Sequence, residues 1–290
     1  MRQKILVLNK NMMLRELLSM NMNVPKLYFD GQMVDVLWDN HEEAIRWYET
    51  YMGWEVQQKE SWKPDPRCTH GKMTRMNAGT WLISSLSNER LPHHYAERGT
   101  VESNIRLCWR VADLQQFHNR CQSDGVRVTE LYRGPGETDY FDFWATGEGI
   151  RFTAQEDKRI QEGFAPSWLR IGVSDLGKSV QWYRNWLGMD LENDWSKDGY
   201  ALMSLGLNRR PGDKSLWVLE QLPENAYTGK ADGQVQPVCW VAERSDFFNY
   251  QTFLLDSGVE TSDIGGYVTR GMVSFHLYDP DGNRLNISSM

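Results

Sequence analysis

Four times along the chain, a short run of alternating apolar and polar residues gives way to helical periodicity and then stops at a glycine. VDVLWDN precedes a stretch in which Ile45, Tyr48 and Met52 recur at i, i+3 and i+7, closed by Gly53. LRIGVSD precedes Val180, Tyr183 and Leu187 in the same spacing, closed by Gly188. Leu114, Phe117 and Cys121 form a third helical face after IRLCWRV, and Phe247, Tyr250 and Leu254 a fourth after PVCWV; both end in Gly-Val. Asn, Asp and Ser before the first two stretches are good N-caps. Asn40 with Glu43 resembles a capping box. Gly53 and Gly188 sit where a left-handed residue ends a helix.

The copies are related. WYETYMGWEV at 47–56 aligns with WYRNWLGMDL at 182–191, and Tyr48/Tyr183 and Gly53/Gly188 share one offset. Between the helices lie the β-like runs TWLISSL, FDFWAT, YALMSL, SLWVLEQL, MVSFHLY and RLNISS. The pattern predicts an α+β chain of four βαβββ modules: two tandem domains, each a pair of modules forming a cupped mixed sheet. Boundaries fall at 27–156 and 167–290, with a charged linker over 157–166 broken by Gly163 and Pro166. Residues 1–26 form an N-terminal extension outside the repeat, in which MMLRELLSM reads as a short outer helix or a poorly ordered segment.

Composition narrows the function. Over 290 residues, 40% hydrophobic and 24% charged content are those of a soluble globular protein. No apolar run approaches the ~18 residues that cross a bilayer, and ILVL at the start is too short for a signal peptide. Cys68, Cys108, Cys121 and Cys239 form no CxxC pair, so reduced thiols in the cytoplasm are expected. A net charge of −7 without a basic cluster argues against nucleic acid. Thirteen Trp are enough to line a ligand cavity as well as fill a core. No GxSxG, HExxH, Walker or dinucleotide glycine motif is present.

The run LRIGVSDLGKSVQWYRNWLGMDLE, followed much later by FHLYDPDGNRLNI, resembles the vicinal oxygen chelate superfamily of glyoxalase I, bleomycin-resistance proteins and extradiol dioxygenases. The resemblance covers residues 27–290, with ATGEG at 145–149 standing where a second DPDGN turn would be. It implies cupped sheets around a divalent metal held by His, Gln or Glu from opening and closing strands. At the implied positions stand Met33, Arg106, Trp168 and a residue near Pro237, with Asn286 and Arg151 in place of the closing glutamates. Arginine is no metal ligand. Glu220 is the one carboxylate at an implied position, opposite Ser84 in the first half, so no metal is expected at the usual places and a divalent ion is possible only at Glu220.

Strand alternation and the resemblance together put Trp168 and Arg170, Met33 and Asp35, and Arg106, Cys108 and Arg110 on cavity faces. That set reads as an aromatic platform with guanidiniums for an anionic or planar ligand, or as core packing with Arg106 paired to Asp35. His276, with Tyr278 on the same face, is the proton-transfer candidate, or a half-exposed strand histidine. Glu220 reads as a buried carboxylate or as a rim residue bound by arginine. His93-His94 and His70 after Cys68 read as solvated loop residues. The expected function is therefore binding of a small organic ligand in aromatic-lined cups, by a monomer or homodimer with neither nucleic-acid nor membrane partners. The alternatives are a metal-dependent lyase, isomerase or hydrolase using Glu220 and His276, and a structural protein with filled cups.

Overall fold

The computed structural model describes residues 24–63, 70–86, 104–208, 210–224, 226, 234–266 and 271–290. MMLRELLSM, Cys68 and the His93-His94 pair lie outside the described residues. Module 1 comprises β1 (Leu27–Asp35), α1 (His41–Met52), β2 (Val56–Trp62), β3 (His70–Met76) and β4 (Thr80–Leu86). Module 2 comprises β5 (Ile105–Val111), α2 (Leu114–Ser123), β6 (Tyr132–Arg133), β7 (Asp139–Ala145) and β8 (Ile150–Glu156). Module 3 comprises β9 (Ala165–Val173), α3 (Leu176–Leu187), β10 (Asp190–Trp195), β11 (Tyr200–Leu207) and β12 (Arg210–Gln221). The described part of module 4 comprises β13 (Val235–Val241), α4 (Arg244–Asp256), β14 (Val273–Tyr278) and β15 (Arg284–Ser289).

The helices form where the periodicity puts them, and their predicted faces are the buried ones, except that Val180 is only half-buried. Gly53 and Gly188 both take φ of 62°, the left-handed turn that ends α1 and α3. The caps divide. Asp113 and Asp175 accept the N–H of Gln116 and Lys178, whereas Asn40 makes no side-chain cap and the expected capping box does not form. At Asn40 the backbone already turns, with φ −94° and ψ 0°, which is not the extended geometry in which an N-cap side chain reaches forward.

Each module's opening strand lies parallel to its last, β1 with β4, β5 with β8, β9 with β12 and β13 with β15. A parallel pair needs a long crossover, and the helix and hairpin between provide it. The opening strands then pair antiparallel: β1 with β13, and β5 with β9. Module 1 therefore closes a cup with module 4, and module 2 with module 3. A short parallel join of β1 to β11, Tyr28 opposite Gly206, makes the whole one mixed sheet.

Aromatic side chains hold the cups together from behind. Trp217 on β12 is fully buried, its ring edge-on to Phe29 of β1 at 5.6 Å and to Tyr183 of α3 at 6.4 Å. Tyr183 donates to Asp279 Oδ2 at 3.0 Å, and Asp279 Oδ1 accepts the N–H groups of Asp281 and Asn283 that close the DPDGN turn. Burial pushes the Asp279 carboxyl up to about 6. The segment 157–164 is pinned, since Asp157 binds Arg159 and Arg110, and Phe164 packs on Phe117.

Candidate functional site

The floor of the cup between modules 2 and 3 begins with β5 and β9, whose register sets Arg106 directly opposite Arg170. Two like charges facing across a strand pair repel, and the arrangement requires carboxylates nearby. β12 supplies Glu220, whose Oε2 accepts from both guanidiniums, at 2.8 Å from Arg170. β7 supplies Asp142, which accepts from Arg106 at 3.0 Å, Arg151 Nε at 2.9 Å, Tyr132 at 3.0 Å and Thr153 at 2.6 Å. Tyr132 in turn accepts from Arg170 at 2.7 Å, which closes the network into a ring. Burial alone would raise the Asp142 carboxyl, but Arg106, Arg151 and the Thr153 hydroxyl outweigh it and hold it down at about 2. Around Arg170, Glu220 and Tyr132 likewise keep the guanidinium charged against its burial.

Aromatic walls rise from this floor. Trp195, Tyr200 and Glu220 are successive cross-strand neighbours and share the face. Trp168 lies two residues before Arg170 and meets Trp195 edge-on at 6.3 Å. Tyr132 and Tyr140 stack at 5.9 Å, and the Arg170 guanidinium lies 5.6 and 5.4 Å from their rings. Exposure is graded through the cluster. Asp142 and Arg170 are sealed, whereas the Glu220 and Arg151 side chains are 21% and 31% exposed and form the mouth.

The cup between modules 1 and 4 is different. Gln236 donates to Asp35 Oδ2 at 2.7 Å, Asn286 donates to Gln236 at 3.0 Å, and Arg284 donates to Asn286 at 3.2 Å. All four are buried, and half-buried Met33 stands opposite Gln236. His276 is opposite Asn286 on β14, buried, and packed edge-on against Tyr278 at 5.3 Å.

Of the residues singled out from sequence, Arg106, Arg151, Trp168, Arg170 and Glu220 converge in one cup, and Met33, Asp35, His276, Tyr278 and Asn286 in the other. The expected Arg106–Asp35 pair does not form, because β5 and β1 belong to different cups. Glu220 and His276 are not brought together either: β12 and β14 are separated in the sheet by β11, β1, β13 and β15. Arg110 leaves the cup, donating to the Pro166 carbonyl at 3.1 Å and pairing with Asp157. Cys108 is buried and its thiol is pushed up to about 12 by that burial. Thr153 rather than Arg151 corresponds to Asn286, since Thr153 pairs with Cys108 as Asn286 pairs with Val238. The residues that sequence reading missed are Asp142, Tyr132, Tyr200 and Trp195. A charged residue in the middle of the aromatic strand FDFWAT was the available signal for Asp142.

Among the described residues no group of three or more His, Cys, Asp or Glu is placed to hold a metal ion. A separate groove of about 860 Å³ opens along the seam between modules, walled by Phe29, Trp54, Trp109, Phe164 and Trp168. The arginine cluster does not line it.

A mixed sheet closed twice from paired βαβββ modules is the fold of glyoxalase I. The enzyme from Zea mays superposes with a TM-score of 0.63 at 14% identity, covering 91% of this chain and 92% of its own. A point mutant of the same enzyme covers 95% and 96% at a TM-score of 0.62 and 14% identity. A candidate dioxygenase from Bacillus subtilis subsp. subtilis str. 168 gives 0.60 at 10% identity over 90% and 86%. At such identities the likeness establishes the fold. Residues 165–287 match the family model of the Glyoxalase/Bleomycin resistance protein/Dioxygenase superfamily, and no curated protein matches the chain. Over residues 165–287 the chain is therefore similar to that superfamily, and across its length it shares the fold of glyoxalase I.

Proposed function

We propose that this protein binds a small organic ligand in the cup between modules 2 and 3, on a floor of guanidiniums instead of a chelated metal. One observation carries the reading: an aromatic-walled cup whose ring of arginines and carboxylates reaches solvent at Glu220 and Arg151. A site of this kind holds a ligand by ring contact and orients it by a few placed charges. The donor set does not fit a divalent ion. Arg106 stands at an implied ligand position with Arg170 opposite it, guanidinium has no lone pair to give, and Asp142 and Glu220 are already paired with cations. The other cup supports the same choice, because its Asp35, Gln236, Asn286 and Arg284 bond to one another and are buried. Cytoplasmic residence fits the buried, unpaired Cys108, Cys121 and Cys239.

The test is thermal unfolding of the wild-type protein with a panel of anionic, neutral aromatic and antibiotic compounds. A true ligand at a hundred times its Kd stabilises by about 2.7 kcal/mol, and Tyr200→Ala is expected to reduce that gain. A panel in which no compound raises the Tm, or one whose binder is indifferent to Tyr200→Ala and Arg151→Gln, contradicts the assignment.

A further inference from the structure

We infer that the groove along the seam is a second ligand site, and that it takes a neutral, flat aromatic molecule bearing a carbonyl or similar hydrogen-bond acceptor. At about 860 Å³ it lies within the roughly 300–1,000 Å³ that small-molecule sites occupy. The backbone makes it. The β1–β13 ladder slips between Phe29 and Gly31, the β5–β9 ladder slips between Leu107 and Trp109, and all four residues line the groove. A bulge of this kind bends its strand and re-aims the side chains around it. Here two of them, on separate strand pairs, open toward the same space.

The lining sets the class of ligand. Every buried side chain in it is uncharged, Trp54, Leu107 and Trp109 among them, whereas the charged Asp30, Glu162 and Arg210 are half-buried or exposed. An ion seated inside would lose its water without gaining a counter-charge, so the guest is neutral. Phe29, Phe164 and three indoles offer stacked or edge-on partners, which favours a ring. Trp54 and Trp109 sit together, their centroids 4.8 Å apart. Polarity enters through hydrogen bonding. The buried Nε1–H groups of Trp54, Trp109 and Trp168 find no acceptor in the protein. A buried donor left unpaired is costly, and three around one groove call for an acceptor from outside. Phe164 and Trp168 are only half-buried and form the side that yields, so a guest wedged against them brings its oxygen to the indoles behind.

Coumarin is the probe, being flat and neutral with two fused rings and a lactone carbonyl. Naphthalene has nearly the same shape and no acceptor. Calorimetric titration of the wild-type chain is expected to detect coumarin and to show naphthalene binding about tenfold more weakly, the scale of one hydrogen bond. Ala78, half-buried in the turn between β3 and β4, lines the groove. Ala78→Trp fills it from that side and is expected to weaken coumarin by about tenfold or more. A second measurement uses the wild-type protein: the indole Nε1–H resonances of Trp54 and Trp109 are expected to shift when coumarin is added. Coumarin binding that is lost in Tyr200→Ala but kept in Ala78→Trp puts the probe in the cup, which overturns this inference and leaves the cup reading in place. Equal binding of naphthalene, indole resonances that do not move, or silence to coumarin also overturns it, and none of these touches the cup.

Discussion

Replacing Asp142 by Asn is expected to cost about 3–5 kcal/mol of folding stability, the usual penalty for removing one partner of a buried ion pair. Asp142 accepts from both Arg106 and Arg151, and it also accepts from Tyr132 and Thr153. Asn keeps the shape but removes one carboxylate charge from the buried Arg106 and from Arg151. Urea unfolding of both proteins measures the difference directly. Its pH dependence has a fixed sign. The carboxyl is held at about 2 in the fold against an ordinary value of 3.8, so the stabilisation is complete above pH 4 and is lost as pH falls from 4 to 2. Over that window the gap between wild type and Asp142→Asn should narrow by about 2 kcal/mol. A variant as stable as wild type at pH 7 would mean that the network is ornamental to the fold.

Trp217→Ala is expected to be as severe, at about 3–5 kcal/mol for a fully buried indole. The reason is position as well as size. Trp217 belongs to module 3, yet its ring packs on Phe29 of module 1 and on Tyr183 of α3. It therefore ties the cup of modules 2 and 3 to that of modules 1 and 4, next to the β1–β11 join. Denaturant unfolding followed by circular dichroism is expected to show an earlier midpoint. A loss below about 1 kcal/mol would mean the site collapses without a cavity and that the seam is not load-sharing at this residue.

The elements were legible because each is a local pattern. Ile45, Tyr48 and Met52 recur at helical spacing and are buried, and Gly53 ends the helix as its place predicts. The pairing of modules was not legible. Nothing in IRLCWRV or LRIGVSD says that β5 seeks β9 across the halves, because strand partner choice depends on which faces are left uncovered once all modules have formed. The site was half legible for the same reason. Alternation put Arg106 and Arg170 on cavity faces, but their meeting at Glu220 depends on register across two strand pairs. Asp142 escaped notice because its strand reads as an aromatic core segment, and only the fold reveals that alternate residues of it face the cup. His276 drew attention as a histidine before a DPDGN turn, and the fold puts it in the other cup from Glu220.

Under the proposed function, fixed guanidinium charge does here what a chelated cation does in a metal-bearing cup. Elemental analysis of protein purified without chelator or metal-binding tag addresses it most directly. The expected result is metal far below one ion per chain, with unfolding unaffected by a chelator. One tightly held divalent ion per chain, lost together with stability in Glu220→Gln, would contradict it.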